Sequence, residues 1–285
     1  WGNSGYAIYM DSTCYPTLTN NVAQYNDRNG VRTTGTQTFN QTWYANIPYI
    51  VDGTLTVNSG VALTLQPGTV VKFLSASSGI AVNGALIADA SAENNIYFTS
   101  MRDDTIGGDT DNDDGAYWPL AGDWGAITYN DSSTDAQNIL DYVQVRYGGS
   151  SNVAVAVNSA APKIMNSMFT RAKGNAINLG TNANPLISNN LIQESSQDGL
   201  YITGSSSPTV SNNFFTRNNR YAVYLTAESK PILSGNSALD NTYNGAAVTG
   251  TFAGGTTWMP NLTYIVADTL TLPSGSTLTI QPGVI

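Results

Sequence analysis

Apolar residues recur along this chain in short alternating runs, and the runs return at a fixed interval. Pro162, Pro185, Pro208 and Pro231 lie 23 residues apart. Two residues beyond them stand Ile164, Ile187, Val210 and Leu233. Fifteen and seventeen beyond stand Ile177 and Leu179, Leu200 and Ile202, Val223 and Leu225, and Ala246 and Val248. Alternation with period two predicts strands that turn one face inward. Polar corners separate the runs, Asn166-Ser167, Asn189-Asn190, Asn212-Asn213 and Gly235-Asn236, where Asn tolerates left-handed backbone and bonds to nearby main chain. Strands that recur in register at one short interval do not suit a hairpin sandwich. They predict a parallel solenoid whose coils stack about 4.8 Å apart. The first hundred residues keep the same period, with Ile50, Phe73 and Ile96 in matching places, as are Leu63 and Leu86.

A longer repeat encloses the short one. Residues 1–70 align without a gap on residues 216–285, and 30 of the 70 pairs are identical, among them Trp43/Trp258, Tyr49/Tyr264 and the run Gln66-Pro67-Gly68. The expected organisation is a single continuous solenoid over 1–285, of about twelve coils, with 1–215 one complete unit and 216–285 the start of a second. Nine coils would make each unit roughly 45 Å long. Because the second copy is partial, the parent is expected to be longer.

Composition narrows the class. With three Glu and four Lys in the whole chain, strong helix formers are scarce and an all-β protein is indicated. One cysteine, Cys14, and no histidine exclude a disulfide framework, a histidine-and-cysteine zinc site and imidazole catalysis. Cys14 stands where other coils carry Ala160, Ala183, Ser206 and Ser229, so it is read as one more small turn residue. No apolar run reaches membrane-spanning length, and no membrane insertion is expected.

The apolar columns, the Pro-x-apolar-x-Asn-Asn rows and the stacked Asn corners resemble the right-handed parallel β-helix of the pectate-lyase-like superfamily. A narrower resemblance runs through Leu63 to Phe73, Phe98-Thr99-Ser100, Gly122-Asp123-Trp124-Gly125 and Val145-Arg146-Tyr147-Gly148-Gly149. It is to large secreted bacterial β-helix repeat proteins. These resemblances imply the fold and a secreted or cell-surface setting. They imply no catalytic residues.

One stretch breaks the rhythm. Asp103, Asp104, Asp109, Asp111, Asp113, Asp114 and Asp123 all fall between Phe98 and Ile127, and residues 103–123 contain no Lys or Arg. This window holds seven of the nine net negative charges. Two carboxylates about 4 Å apart repel by about 4 kcal/mol at an effective dielectric near 20, so the seven either splay into water or gather round a cation. Asp109, Asp111 and Asp113 alternate ahead of Gly115, like the opening of a calcium loop. The EF-hand glycine position is Asp114 and the closing Glu position is Leu120, so Asp103, Asp123 or a backbone carbonyl would complete the shell. Structural Ca2+ is the expected ligand, with a solvated acidic loop as the alternative. Trp118 and Trp124 are expected to cap or anchor the loop.

Catalysis finds little support. Tyr25, Arg171, Glu194, Arg217 and Asp240 share one column, and Glu194 and Asp240 would sit roughly 9.6 Å apart, near the separation used by inverting glycosidases. The arginines between and beside them should lower their pKa values, whereas a general acid needs a raised one. A charge ladder that fixes coil register is the expected role. Tyr201 and Tyr224 fall one coil apart in another column. They either stack on each other or offer a platform to a sugar ring.

The expected protein is therefore a non-enzymatic extracellular stalk, fibre or surface filament. It would associate end to end with itself or with adjoining repeats of the same chain, and would not bind nucleic acid. The alternative is a carbohydrate-binding or polysaccharide-degrading module that engages surface glycans.

Overall fold

The structure is a computed structural model that describes residues 2–11, 13, 14 and 16–285. Each regular coil contributes three short strands. Lys163–Met165, Met168–Thr170 and Asn175–Leu179 are followed by Leu186–Ser188, Leu191–Gln193 and Leu200–Ile202. Each strand pairs in parallel with its counterpart one coil on: Ile164 with Ile187, Phe169 with Ile192, Ile177 with Leu200. The chain therefore winds an all-β parallel solenoid of about twelve turns with three faces. Alternate side chains point inward, and Ile164, Ile187, Val210, Phe169, Ile192, Phe215, Ile177, Leu200 and Val223 are all buried in a core that runs the length of the coil. Cys14 is exposed. Among the described residues no helix is long and apolar enough to cross a membrane.

Two corners of the coil require left-handed backbone. Asn166, Asn189 and Asn212 hold φ of 47°, 57° and 56° at the first. Arg171, Glu194, Arg217 and Asp240 hold φ of 57°, 57°, 53° and 58° at the second. The column of charged residues is thus also a column of strained corners, a property its residue types do not advertise. Beside each corner runs a polar ladder inside the wall. The Asn190 side chain donates to Asn213 Oδ1 at 2.9 Å, and Asn213 in turn to Asn236 Oδ1 at 2.9 Å. The same amides cap the Ile164 and Ile187 carbonyls at 2.9 Å. Asn218 and Asn241 form a second such ladder at the other corner, 2.8 Å apart. Buried amides with every group bonded hold one coil in register on the next.

The long repeat carries a step in this register. The second-face ladder runs from Val31 through Tyr49, Val71, Phe98, Val145, Phe169, Ile192 and Phe215 to Ala238. The third-face ladder runs from Gly35 through Leu55, Ile80, Ile127, Val155, Ile177, Leu200 and Val223 to Ala246. Ala246 then pairs with Tyr264. Ala246 and Tyr264 are the images of Val31 and Tyr49, which belong to the second face. The third face of one unit thus becomes the second face of the next, and a unit spans eight turns and one further face, not nine turns. The difference lies in the loop after Ser100 and in the shorter first coils. Strands at the changeover run through two faces, Arg28–Gln37 and its image Tyr243–Thr251, and bend at Gly35 and Gly250 with φ of 84° and 93°. Trp43 stacks on Tyr49 with ring centres 4.3 Å apart, and Trp258 on Tyr264 at 4.4 Å, so the same aromatic pair follows both changeovers.

Candidate functional site in the acidic loop

The second-face strand Ile96–Ser100 ends and the third face resumes at Ile127–Tyr129; residues 101–126 leave the coil between them. Trp124 roots the loop. It is fully buried, stacks on Phe73 at 4.0 Å and donates its Nε1 to the Arg146 carbonyl at 2.8 Å. A Cβ on Gly148 would lie 2.9 Å from its ring, so only glycine fits beneath it. Trp118, by contrast, is 76% exposed. The expected anchoring role holds for Trp124 alone, because it fills the interior slot over Phe73 while Trp118 rides the loop's outer turn.

From this root the loop folds back along the earlier coils. The Asn29 amide donates to the Thr110 carbonyl at 2.7 Å, its side chain to the Asp109 carbonyl at 3.2 Å, and Arg28 to the Asp111 carbonyl at 3.3 Å. Lys72, on the strand Val70–Phe73 and fully buried beneath the loop, donates its Nζ to the Gly108 carbonyl at 2.7 Å. Burial pushes the Lys72 ammonium down to about 8, against the opposing pull of Asp104, Asp103, Asp111 and Asp109. Neither Lys72 nor Arg146 can be connected with the loop from sequence. Each lies tens of residues away and reads as one polar position in an alternating strand.

The seven aspartates take three kinds of place. Asp104, Asp109, Asp111 and Asp113 bring one carboxylate oxygen each within 4.8 Å of one another. Asp109 also accepts from the amides of Asp113 and Asp114, and Asp113 from those of Gly115, Ala116 and Tyr117. Oδ1 of Asp104 and Oδ1 of Asp111 are buried and accept no hydrogen bond. Burial, then the charge of Asp113, raises the Asp111 carboxyl to about 6, and burial with the charge of Asp109 raises Asp104 as well. Asp103 lies outside the cluster, fully buried, where it accepts from Thr99 at 2.6 Å and pairs with Arg146 at 3.2 Å. Asp123 accepts from Ser100 at 2.7 Å and from the Leu120 amide at 3.0 Å. Asp114 is exposed, in left-handed backbone with φ of 55°.

The other two candidate columns are built as ladders. Glu194 receives Arg171 at 3.1 Å on one oxygen and Arg217 at 2.8 Å on the other. Partial burial pushes its carboxyl up, but the two guanidinium groups outweigh it and hold Glu194 below the usual carboxylate range. That is the wrong direction for a general acid. Tyr201 and Tyr224 stack with ring centres 5.0 Å apart and planes 13° from parallel, so the faces between them are already covered. Tyr221 and Tyr243 extend the aromatic ladder at 4.6 Å, and Arg220 lies over Tyr221 and Tyr224 at 5.6 and 5.7 Å.

Residues 147–256 match the family described as right handed beta helix region, and the described chain is an all-β parallel solenoid of about twelve turns. Comparison with curated proteins and with solved structures returned no match.

Proposed function

We propose that this chain is an extracellular structural and adhesive rod without catalytic activity, with calcium bracing its one large loop. The observation that carries the reading is the stepped register at the unit boundary. The ladder passes from one repeat to the next without a break, handing the third face to the second, and the Trp43/Tyr49 stack recurs as Trp258/Tyr264. A solenoid built this way grows by adding units and gains stability from each new interface. Its titratable outer columns favour the same role, since Glu194 is tied between arginines.

Association end to end would repeat the contact that each coil makes with the next. Val51 and Leu65 are buried under the coil that follows them, and Val266 and Ile280 are their images one repeat later. Exposed strand edges with apolar inward positions recruit a further coil, from another copy or an adjoining repeat. Sedimentation should show concentration-dependent linear oligomers, lost in Val266→Asp with Ile280→Asp. Monomers at every concentration, or cleavage products from a polysaccharide panel, would contradict the reading. The calcium reading draws on four converging carboxylates, two of whose buried oxygens accept nothing, with the one Lys72 ammonium among them.

A further inference from the structure

The acidic loop docks on the changeover strand Arg28–Gln37, where the register steps. That strand carries a bulge: Tyr6 pairs with Arg28 and Ile8 with Val31, so two steps on one strand face three on the other. Asn29 sits in the extra step and, among the described residues, has no register partner in either neighbouring strand. A bulge leaves one residue outside the ladder, and this one gives its donors to the loop. Its amide donates to the Thr110 carbonyl at 2.7 Å and its side chain to the Asp109 carbonyl at 3.2 Å. Asn26 aims it: the Asn26 amide and side chain donate to Asn29 Oδ1 at 3.0 and 3.2 Å, so the NH2 of Asn29 turns the other way.

The same device is built again one repeat later. Tyr221 pairs with Tyr243 and Val223 with Ala246, which places Asn244 in the extra step of Tyr243–Thr251. Its Oδ1 accepts from the amide and the side chain of Asn241, both at 2.9 Å. Asn241 and Asn244 are the images of Asn26 and Asn29. The glycine after each is kept as well: a Cβ on Gly30 would lie 2.7 Å from Ile50, and one on Gly245 would lie 2.7 Å from Ile265, the image of Ile50. Tyr243 stands in place of Arg28, so the bond from Arg28 to the Asp111 carbonyl has no counterpart there. Asn244 thus presents the same pair of donors, held by the same pair of bonds. The sequence contains one acidic loop, and that loop is docked on Asn29.

We propose that Asn244 is the receptor for a second copy of the acidic loop, carried by a following unit, and that the loop is a clasp closed across each unit boundary. The loop is rooted at Trp124 over Phe73 and reaches back to Asn29, so it straps the changeover strand to coils that lie beyond it. A bulge disrupts the ladder locally, and the clasp bonds the groups that the bulge leaves unpaired. Asn244 is followed by the images of residues 30–70, so a unit that continues the repeat brings its own loop to Asn244. What the loop offers is backbone. The Asp109 and Thr110 carbonyls accept, and Gly107 lets the chain close on the coil, where a Cβ would lie 2.9 Å from Pro48 and 3.1 Å from Val70. The clasp rests on the rod reading and needs no cation.

Hydrogen exchange read by mass spectrometry tests the clasp. In the chain of 285 residues, Asn29→Asp keeps the acceptor for Asn26 but removes the side-chain donor, and exchange across residues 107–111 should quicken about tenfold. Appending residues 71–215 to Ile285 supplies one further loop. Exchange at Asn244 should then slow about tenfold or more, and Gly107→Val in the added copy should abolish the slowing while the rod seen by electron microscopy keeps its length. Slowing that survives Gly107→Val would assign it to the added coils, and unchanged loop exchange in Asn29→Asp would leave Asn29 without a holding role; either result overturns the proposal. A lengthened rod in which Asn244 exchanges as before overturns the clasp alone, whereas two separate bodies contradict the rod reading and the clasp with it.

Discussion

Asn213 shows what a single side chain does in this wall. It takes hydrogen bonds from the amide and side chain of Asn190, caps the Ile187 carbonyl and reaches Asn236, all in a buried setting where an unmade bond costs about 1–3 kcal/mol per group. Asn213→Ala leaves several of these groups without partners. It should therefore cost about 3 kcal/mol in chemical denaturation, more than any ordinary surface substitution; a loss within ~0.5 kcal/mol would mean that the ladder contributes little. This column was legible in the sequence because Asn is one of few residues suited to such a corner. The left-handed backbone at Arg171, Glu194 and Arg217 was not, since long charged side chains carry no such signature. Their side chains form the ion-pair ladder outside the corner, while Tyr25 and Asp240 hold the same backbone in the same column.

At the scale of the loop, charge decides behaviour. The folded state raises the Asp111 carboxyl to about 6 from an ordinary value of 3.8. A raised acid stabilises the fold while protonated, so this contribution is complete below about pH 4 and is lost as pH rises through about 6. Calcium-free protein should therefore melt lower at pH 7 than at pH 5, and Asp111→Asn should flatten that part of the profile. Calcium should restore the melting temperature of the wild type at pH 7, by about 2.7 kcal/mol at a hundredfold excess over Kd, and should do less for the variant. Differential scanning calorimetry at both pH values checks this; identical profiles with and without calcium would contradict the bracing role. All seven aspartates, Asp104 among them, were readable as candidates, and so was the alternation of Asp109, Asp111 and Asp113; that Asp104 converges with those three while Asp103, Asp114 and Asp123 stand apart was not. Thr99, Arg146 and Ser100, on coils that close only in three dimensions, claim the Asp103 and Asp123 carboxylates.

For the whole molecule, period and repeat length were open to inspection, whereas the phase between them was not. A 70-residue identity pattern reports that two segments fold alike, yet it does not report which face of the coil each occupies. That depends on how many residues the loop and the short first coils remove from the winding. The pairing of Ala246 with both Val223 and Tyr264 supplies the missing phase. The central claim is that one unit continues into the next as an uninterrupted stepped rod. It is tested most directly by appending residues 71–285 to Ile285, which continues the repeat at its own offset, and imaging both chains by electron microscopy. The account predicts a single straight rod longer by about 40 Å, the height of eight turns and one face. Two separate bodies joined by a link, or no gain in length, would contradict it.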